Sequence, residues 1–167
     1  HSIIRNEKNF WKYKVYNLGY NSRLPDLNCA LGLSQLKKLN KFVKKRKEIA
    51  KIYNNFFSDR EKFITPKNTK NRSNSYHLYP LLVNFNKINK SKDRVIKEFL
   101  KYKIKLQVHY IPVNSQPYYR KKYGFKKNNF KNSIFFFERA ISLPIYYELS
   151  KKNFNYFKKI CKKIFNI

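Results

Sequence analysis

From Pro25 onward apolar residues fall at Leu27, Leu31, Leu36, Leu39, Val43, Ala50, Tyr53 and Phe57, mostly three, four or seven residues apart. That stripe predicts one long helix over residues 25–57. Pro25 and Asp26 suit its first turn, where proline loses no hydrogen bond and a carboxylate meets the helix dipole. Lys37, Lys38, Lys44, Lys45 and Lys47 fall largely off the stripe and read as solvated. Residues 76–85 form an apolar run of strand length, and Pro80 inside it points to an edge or a bulge. Ser91 and Asp93 open a second helix carrying Val95, Ile96, Phe99 and Leu100. Residues 106–110 read as a strand, followed by a loop with Pro112, Pro117 and Gly124. Residues 133–140 read as helical, and Ile141-Ser142-Leu143 as a short extended piece before Pro144. Ser150 is placed to cap a last helix with the stripe Phe154, Phe157, Cys161 and Ile164. The alternation of helices and strands predicts an α/β or α+β sandwich.

Composition changes this picture in one respect. The 167 residues are 42% hydrophobic and 18% aromatic, enough for one domain with a real core. The net charge of +30 taken alone points to an anionic partner. However, Lys, Asn, Ile, Phe and Tyr all have A/T-rich codons and all are abundant, so a drifting genome would put lysine on every solvated face without any partner. The lysines are dispersed rather than gathered into a stripe, and no RNA-binding signature appears. A basic nucleic-acid-binding domain therefore stands as an alternative reading only. Cys29 and Cys161 match neither a metal-ligand spacing nor a disulfide framework, and both read as small buried residues in a reducing cytoplasm. No stretch approaches a membrane span in apolar length. The polar opening at His1, in a chain without methionine, is expected of a fragment.

No catalytic set completes itself from residue chemistry. There are nine acidic residues, three histidines and no glycine-rich phosphate loop, and Ser34 and Ser142 have no histidine in a motif context. Three segments carry more information. One runs Leu18-Gly19-Tyr20-Asn21-Ser22-Arg23-Leu24-Pro25-Asp26 into Ala30-Leu31-Gly32-Leu33-Ser34-Gln35-Leu36. The second is Tyr76-His77-Leu78-Tyr79-Pro80. The third is Val108-His109-Tyr110-Ile111-Pro112-Val113 with Gln116-Pro117-Tyr118-Tyr119 after it. In this order and spacing they resemble the DegT/DnrJ/EryC1/StrS aminotransferases. The nearest likeness is to the branch that aminates UDP-linked sugars on the route to pseudaminic acid. The resemblance covers the chain from Trp11 to its end.

What the resemblance implies is the C-terminal part of a fold-type-I enzyme dependent on pyridoxal 5′-phosphate (PLP), dimeric and cytoplasmic. Residues 1–24 would end the PLP-binding large domain, 25–57 would be a long linking helix, and 58–167 a small domain of sheet and helices. The reaction would move an amino group from glutamate to a 4-keto sugar nucleotide. No catalytic residue is assigned here, because no segment matches the motif of the lysine that holds the cofactor. Asn21 falls at the position that reaches across the dimer to the PLP phosphate, and Arg23 beside it can pair with phosphate or with a carboxylate. An amide donor in a turn before a helix N-terminus is chemically suited to an anion. His109 and Tyr110 border the sugar-nucleotide pocket in the family. Tyr76 and His77 are weaker candidates for the same pocket, with a core role the simpler reading. The chain departs from the family's pattern at Leu24-Pro25, where Met then Ser or Thr is usual, and at Asn114, often His. A PLP-dependent sugar dehydratase of the same family, and a remnant or separately encoded half, stay open as alternatives.

Overall fold

The computed structural model describes all residues except 1, 2, 7, 8, 18, 21 and 60; for 3–6, 9–15, 127 and 128 it describes the backbone alone. The chain divides into two compact units, 1–39 and 40–167.

The first unit holds an antiparallel pair, β1 (Ile3–Asn6) and β2 (Asn9–Val15), in the register Ile3↔Val15, and then α1 (Asp26–Leu36). Pro25 stands at the N-cap of α1 and offers no side-chain cap. None of the side chains of α1 is buried: Leu31 is 60% and Leu33 63% exposed, and Tyr16 and Tyr20 before it are exposed too. An apolar helix left this uncovered is abnormal for a self-sufficient monomer.

The single helix expected over 25–57 is two helices. A turn at Lys37-Lys38 separates α1 from α2 (Leu39–Phe56). The Lys38 amide donates to the Gln35 carbonyl at 3.0 Å, a three-residue closure that ends the α-helical ladder. The apolar spacing carries no sign of this break, since Leu36 and Leu39 on either side of it are three residues apart and in phase for one helix.

The second unit is built on a three-stranded antiparallel sheet in the order β3 (Phe63–Ile64), β4 (Tyr79–Val83), β5 (Ala140–Leu143). The register pairs Phe63 with Val83 and Tyr79 with Leu143. Pro80 pairs with Ser142 on one side, while β3 reaches only Leu82 and Val83 on the other, so the missing Pro80 amide falls where β4 is locally an edge. Helices α3 (Lys92–Lys101), α4 (Pro117–Tyr123), α5 (Lys131–Arg139) and α6 (Lys151–Phe165) complete the unit. Both expected hydroxyl caps form. Ser91 Oγ accepts from the Arg94 amide and Ser150 Oγ from the Asn153 amide. The strand expected over 106–110 shrinks to one bridge, Gln107 with Ser142. There, on the second side of β5, Ser142 both donates to and accepts from Gln107.

The core belongs to this second unit. Tyr53 of α2 is fully buried, with its ring 4.8 Å from Tyr79, 5.2 Å from Phe154 and 5.7 Å from Phe157. Phe57, Phe63 and Phe165 continue the cluster. Such pairs add about 0.5–1.5 kcal/mol each beyond area burial, so a chain rich in phenylalanine and tyrosine builds its interior from ring contacts. The predicted stripe Phe154, Phe157, Cys161 and Ile164 is buried throughout, with Ile160 and Phe165 joining it. Of the two cysteines expected to be buried, Cys161 is, and burial pushes its thiol well up; Cys29 is only half-buried, since α1 has no core of its own.

Candidate functional site

β5 organises the candidate residues of the second unit. All four of its residues are buried, which is what a short strand flanked by β4 and by Gln107 requires. Ser142 brings a hydroxyl into that setting at 7% exposure, and its Oγ lies 2.8 Å from His109 Nδ1. The serine thus fixes the ring by one nitrogen, and among the described residues no hydrogen bond engages the other, Nε2. Tyr110 packs edge-on against the His109 ring at 4.9 Å and is 76% exposed. The pair presents an imidazole edge and a phenol together at the start of the 110–116 loop. Asn114 lies in a short 3-10 turn of that loop, Val113–Ser115, and is half-buried.

Tyr76 and His77 are held differently. Arg46 of α2 donates from one guanidinium nitrogen, Nη1, to the carbonyls of Tyr76 (3.1 Å), His77 (3.0 Å) and Ile145 (2.9 Å). Tyr76 has a φ of 51° and its amide donates to Asn74 Oδ1 at 2.7 Å. Its side chain is buried and stacks on Tyr79 at 6.2 Å, whereas His77 is exposed. The antiparallel register separates the two candidate pairs. Tyr76-His77 run past Leu143 toward Ile145, while residues after Gln107 run back toward Ala140. Ser142 and Ile145 are three residues apart, roughly 10 Å of extended chain.

In the first unit, Arg23 is exposed on the irregular segment leading into α1. Asn21 lies outside the described residues. Among the described residues the N-terminus of α1 meets no side-chain cap, and Asp26 places a carboxylate in its first turn. Sequence reasoning passed over Arg46 and set Ser142 aside for want of a histidine in its motif context, whereas the fold supplies His109. Each acts on groups far away in the chain, and no local motif announces them.

The sequence pattern of the DegT/DnrJ/EryC1/StrS aminotransferase family matches residues 1–164. The chain belongs to this family. Relatives of this aminotransferase-family chain include the spore coat polysaccharide biosynthesis protein SpsC of Bacillus subtilis, 38% identical over 84% of the chain and 36% of SpsC. Another is a UDP-4-amino-4,6-dideoxy-N-acetyl-beta-L-altrosamine transaminase of Campylobacter jejuni, 35% identical over 95% of the chain and 41% of the relative. Among solved structures it is similar to Helicobacter pylori PseC, an aminotransferase involved in pseudoaminic acid biosynthesis. The TM-score is 0.81 at 29% identity, covering 99% of this chain and 43% of that one. The chain thus spans well under half the length of the family members it matches. The fold is that of part of a PLP-dependent sugar aminotransferase, with α-helices on a small antiparallel sheet. Among the described residues, no helix is long and apolar enough to cross a membrane.

Proposed function

We propose that this chain is the C-terminal part of a cytoplasmic, PLP-dependent aminotransferase that moves an amino group from glutamate to a 4-keto UDP-sugar. The observation that carries the reading is the family match over residues 1–164 together with the likeness to named amino-sugar transaminases. In this reading 1–24 closes the large domain, 25–57 links, and 58–167 is the small domain. The enzyme works as a homodimer, which would cover the exposed leucines of α1.

The residues present fit the phosphate end of PLP. A helix N-terminus without a side-chain cap from Pro25 follows a stretch whose sequence carries an amide, Asn21, and a guanidinium, Arg23, and these are donors an anion needs. Asn21 and Arg23 would hold that phosphate, and the first-turn amides of α1 would complete its shell. Bound there, PLP supplies the electron sink that lets an amino group leave one carbon and join another. His109, oriented by Ser142, offers Nε2 to a hydroxyl or the keto oxygen of the sugar, and Tyr110 offers its phenol beside it. Tyr76 shapes the backbone from behind, while exposed His77 is the member of that pair able to meet substrate. The lysine that carries PLP belongs to the large domain outside this stretch, so the 167-residue chain alone turns over nothing.

The test is amination of a UDP-4-keto-6-deoxy sugar by the protein containing this chain, followed by mass spectrometry with glutamate and PLP supplied. An amino sugar formed only with glutamate supports the reading. Loss of a hydroxyl without gain of nitrogen would assign the dehydratase chemistry instead. Asn21→Ala should weaken PLP retention roughly ten- to a hundredfold, the equivalent of one hydrogen bond to a charged group. Mixing a variant lacking the cofactor lysine with one carrying a bulky charge at position 21 should restore activity if Asn21 acts across the dimer.

A further inference from the structure

We propose that a cleft between the end of α3 and the start of α6 binds a small anionic ligand with a planar apolar body, of the size of a nucleoside monophosphate. The cleft is open on one side to solvent and offers about 590 Å³, within the range of small-molecule sites. Its floor is apolar: Leu149 and Phe157 are 6% and 3% exposed, and Ile104 lies beside them. Tyr146 and Tyr156 flank it with exposed rings, and the Tyr156 hydroxyl donates to the Tyr102 carbonyl at 3.4 Å, which tethers that wall. Aromatic walls of this kind favour a flat ring by stacking. None of the ten lining residues is acidic, and Lys103 and Lys105 stand on the rim.

The position of Lys103 adds a second, independent observation. Helix α3 ends in a paired closure, with the Ile104 amide donating to the Phe99 carbonyl (3.1 Å) and the Lys103 amide to the Leu100 carbonyl (2.9 Å). This closure puts the residue after the cap in the left-handed region, where glycine is the ordinary occupant. Lysine occupies it here at a φ of 58°. The backbone there carries a side chain where glycine would relieve the strain. The same closure turns Ile104 into the cleft and leaves lysines on either side of it. Apolar floor, aromatic walls and a cationic rim with no opposing carboxylate are complementary to an anionic ring compound. The cleft shares no lining residue with His109, Tyr110 or Ser142, so the inference stands independently of the aminotransferase reading.

The probe is adenosine 5′-monophosphate, titrated into the 167-residue chain and followed by amide NMR shifts, with adenosine and inorganic phosphate as controls. Saturable shifts should centre on Lys103, Asn153 and Tyr156, and each control alone should bind at least tenfold more weakly. Lys103→Ala with Lys105→Ala should weaken binding at least tenfold, and Tyr146→Ala at least threefold. Lys103→Gly removes the charge while relieving the positive φ, so it keeps the fold and should still weaken binding several-fold. Three results would overturn the proposal: no saturable shift at millimolar ligand, phosphate binding as well as the nucleotide, or unchanged affinity in the Lys103→Gly chain.

Discussion

Replacing Arg46 with alanine removes the one side chain that ties α2 to both the 76–77 segment and the exit of β5. Three carbonyls lie 2.9–3.1 Å from a single nitrogen that carries two hydrogens, so the bonds are partly shared. A hydrogen bond from a charged donor contributes about 1.5–3 kcal/mol where the acceptor is shielded. The Tyr76 and Ile145 acceptors are partly buried, whereas the His77 carbonyl is exposed and returns to water at little cost. Counting the two shielded bonds with sharing gives a loss of about 2–4 kcal/mol. Tyr76 adds to the consequence, because a bulky residue at a φ of 51° stays there only while its surroundings hold it. A domain of ordinary stability, about 5–15 kcal/mol, should survive the change with a much lower unfolding midpoint. Urea titration followed by far-UV circular dichroism measures this directly, and an unchanged slope shows that the denatured state is the same. Amide exchange at residues 76–78 should quicken more than exchange in α6. An Arg46→Ala chain within about 0.5 kcal/mol of the parent would refute the clamp, since that is the effect of an ordinary surface substitution.

Ser142→Ala should cost about 1 kcal/mol and release His109 Nδ1, seen as a change in the ring-nitrogen NMR shifts that report the tautomer; unchanged shifts would deny the serine its positioning role. Tyr53→Phe should cost about 1–3 kcal/mol in urea unfolding, because the Pro144 carbonyl loses its 2.7 Å donor inside the core. Glu98 accepts from Lys90 at 2.8 Å and from Arg94 at 2.9 Å, and these partners, Lys90 first, hold its carboxyl below the usual range. Its contribution is therefore complete above the unfolded value of about 4.3 and lost as pH falls through the lower folded value. Glu98→Gln should flatten that acid limb, so that mutant and parent stabilities converge at low pH. Cys29 should react with iodoacetamide in the native chain, while buried Cys161, its thiol pushed up by burial, should react only after urea is added.

Several features of this chain are determined within a turn or two of sequence. Ser91 and Ser150 cap their helices because a hydroxyl needs only an amide three residues on. The stripe of α6 is legible because residues three and four apart share a face whatever they pack against. The break at Lys37-Lys38, by contrast, was not legible, because Leu36 and Leu39 on either side of it keep a helical three-residue spacing. Family membership was legible too, because the segments around Asn21, Tyr76 and His109 keep a recognisable order and spacing. What the tertiary structure decided involves residues far apart. Residues 106–110 have the composition of a strand, yet among the described residues only Gln107 bridges to β5. Ser142 meets His109 across 33 positions, and Arg46 meets Ile145 across 99. Nothing local selects such pairs; they form when burying the aromatic core brings β4, β5 and α2 together. The register of β5 then sends His109 and Tyr76 toward opposite ends of one strand, a separation that no spacing along the chain encodes.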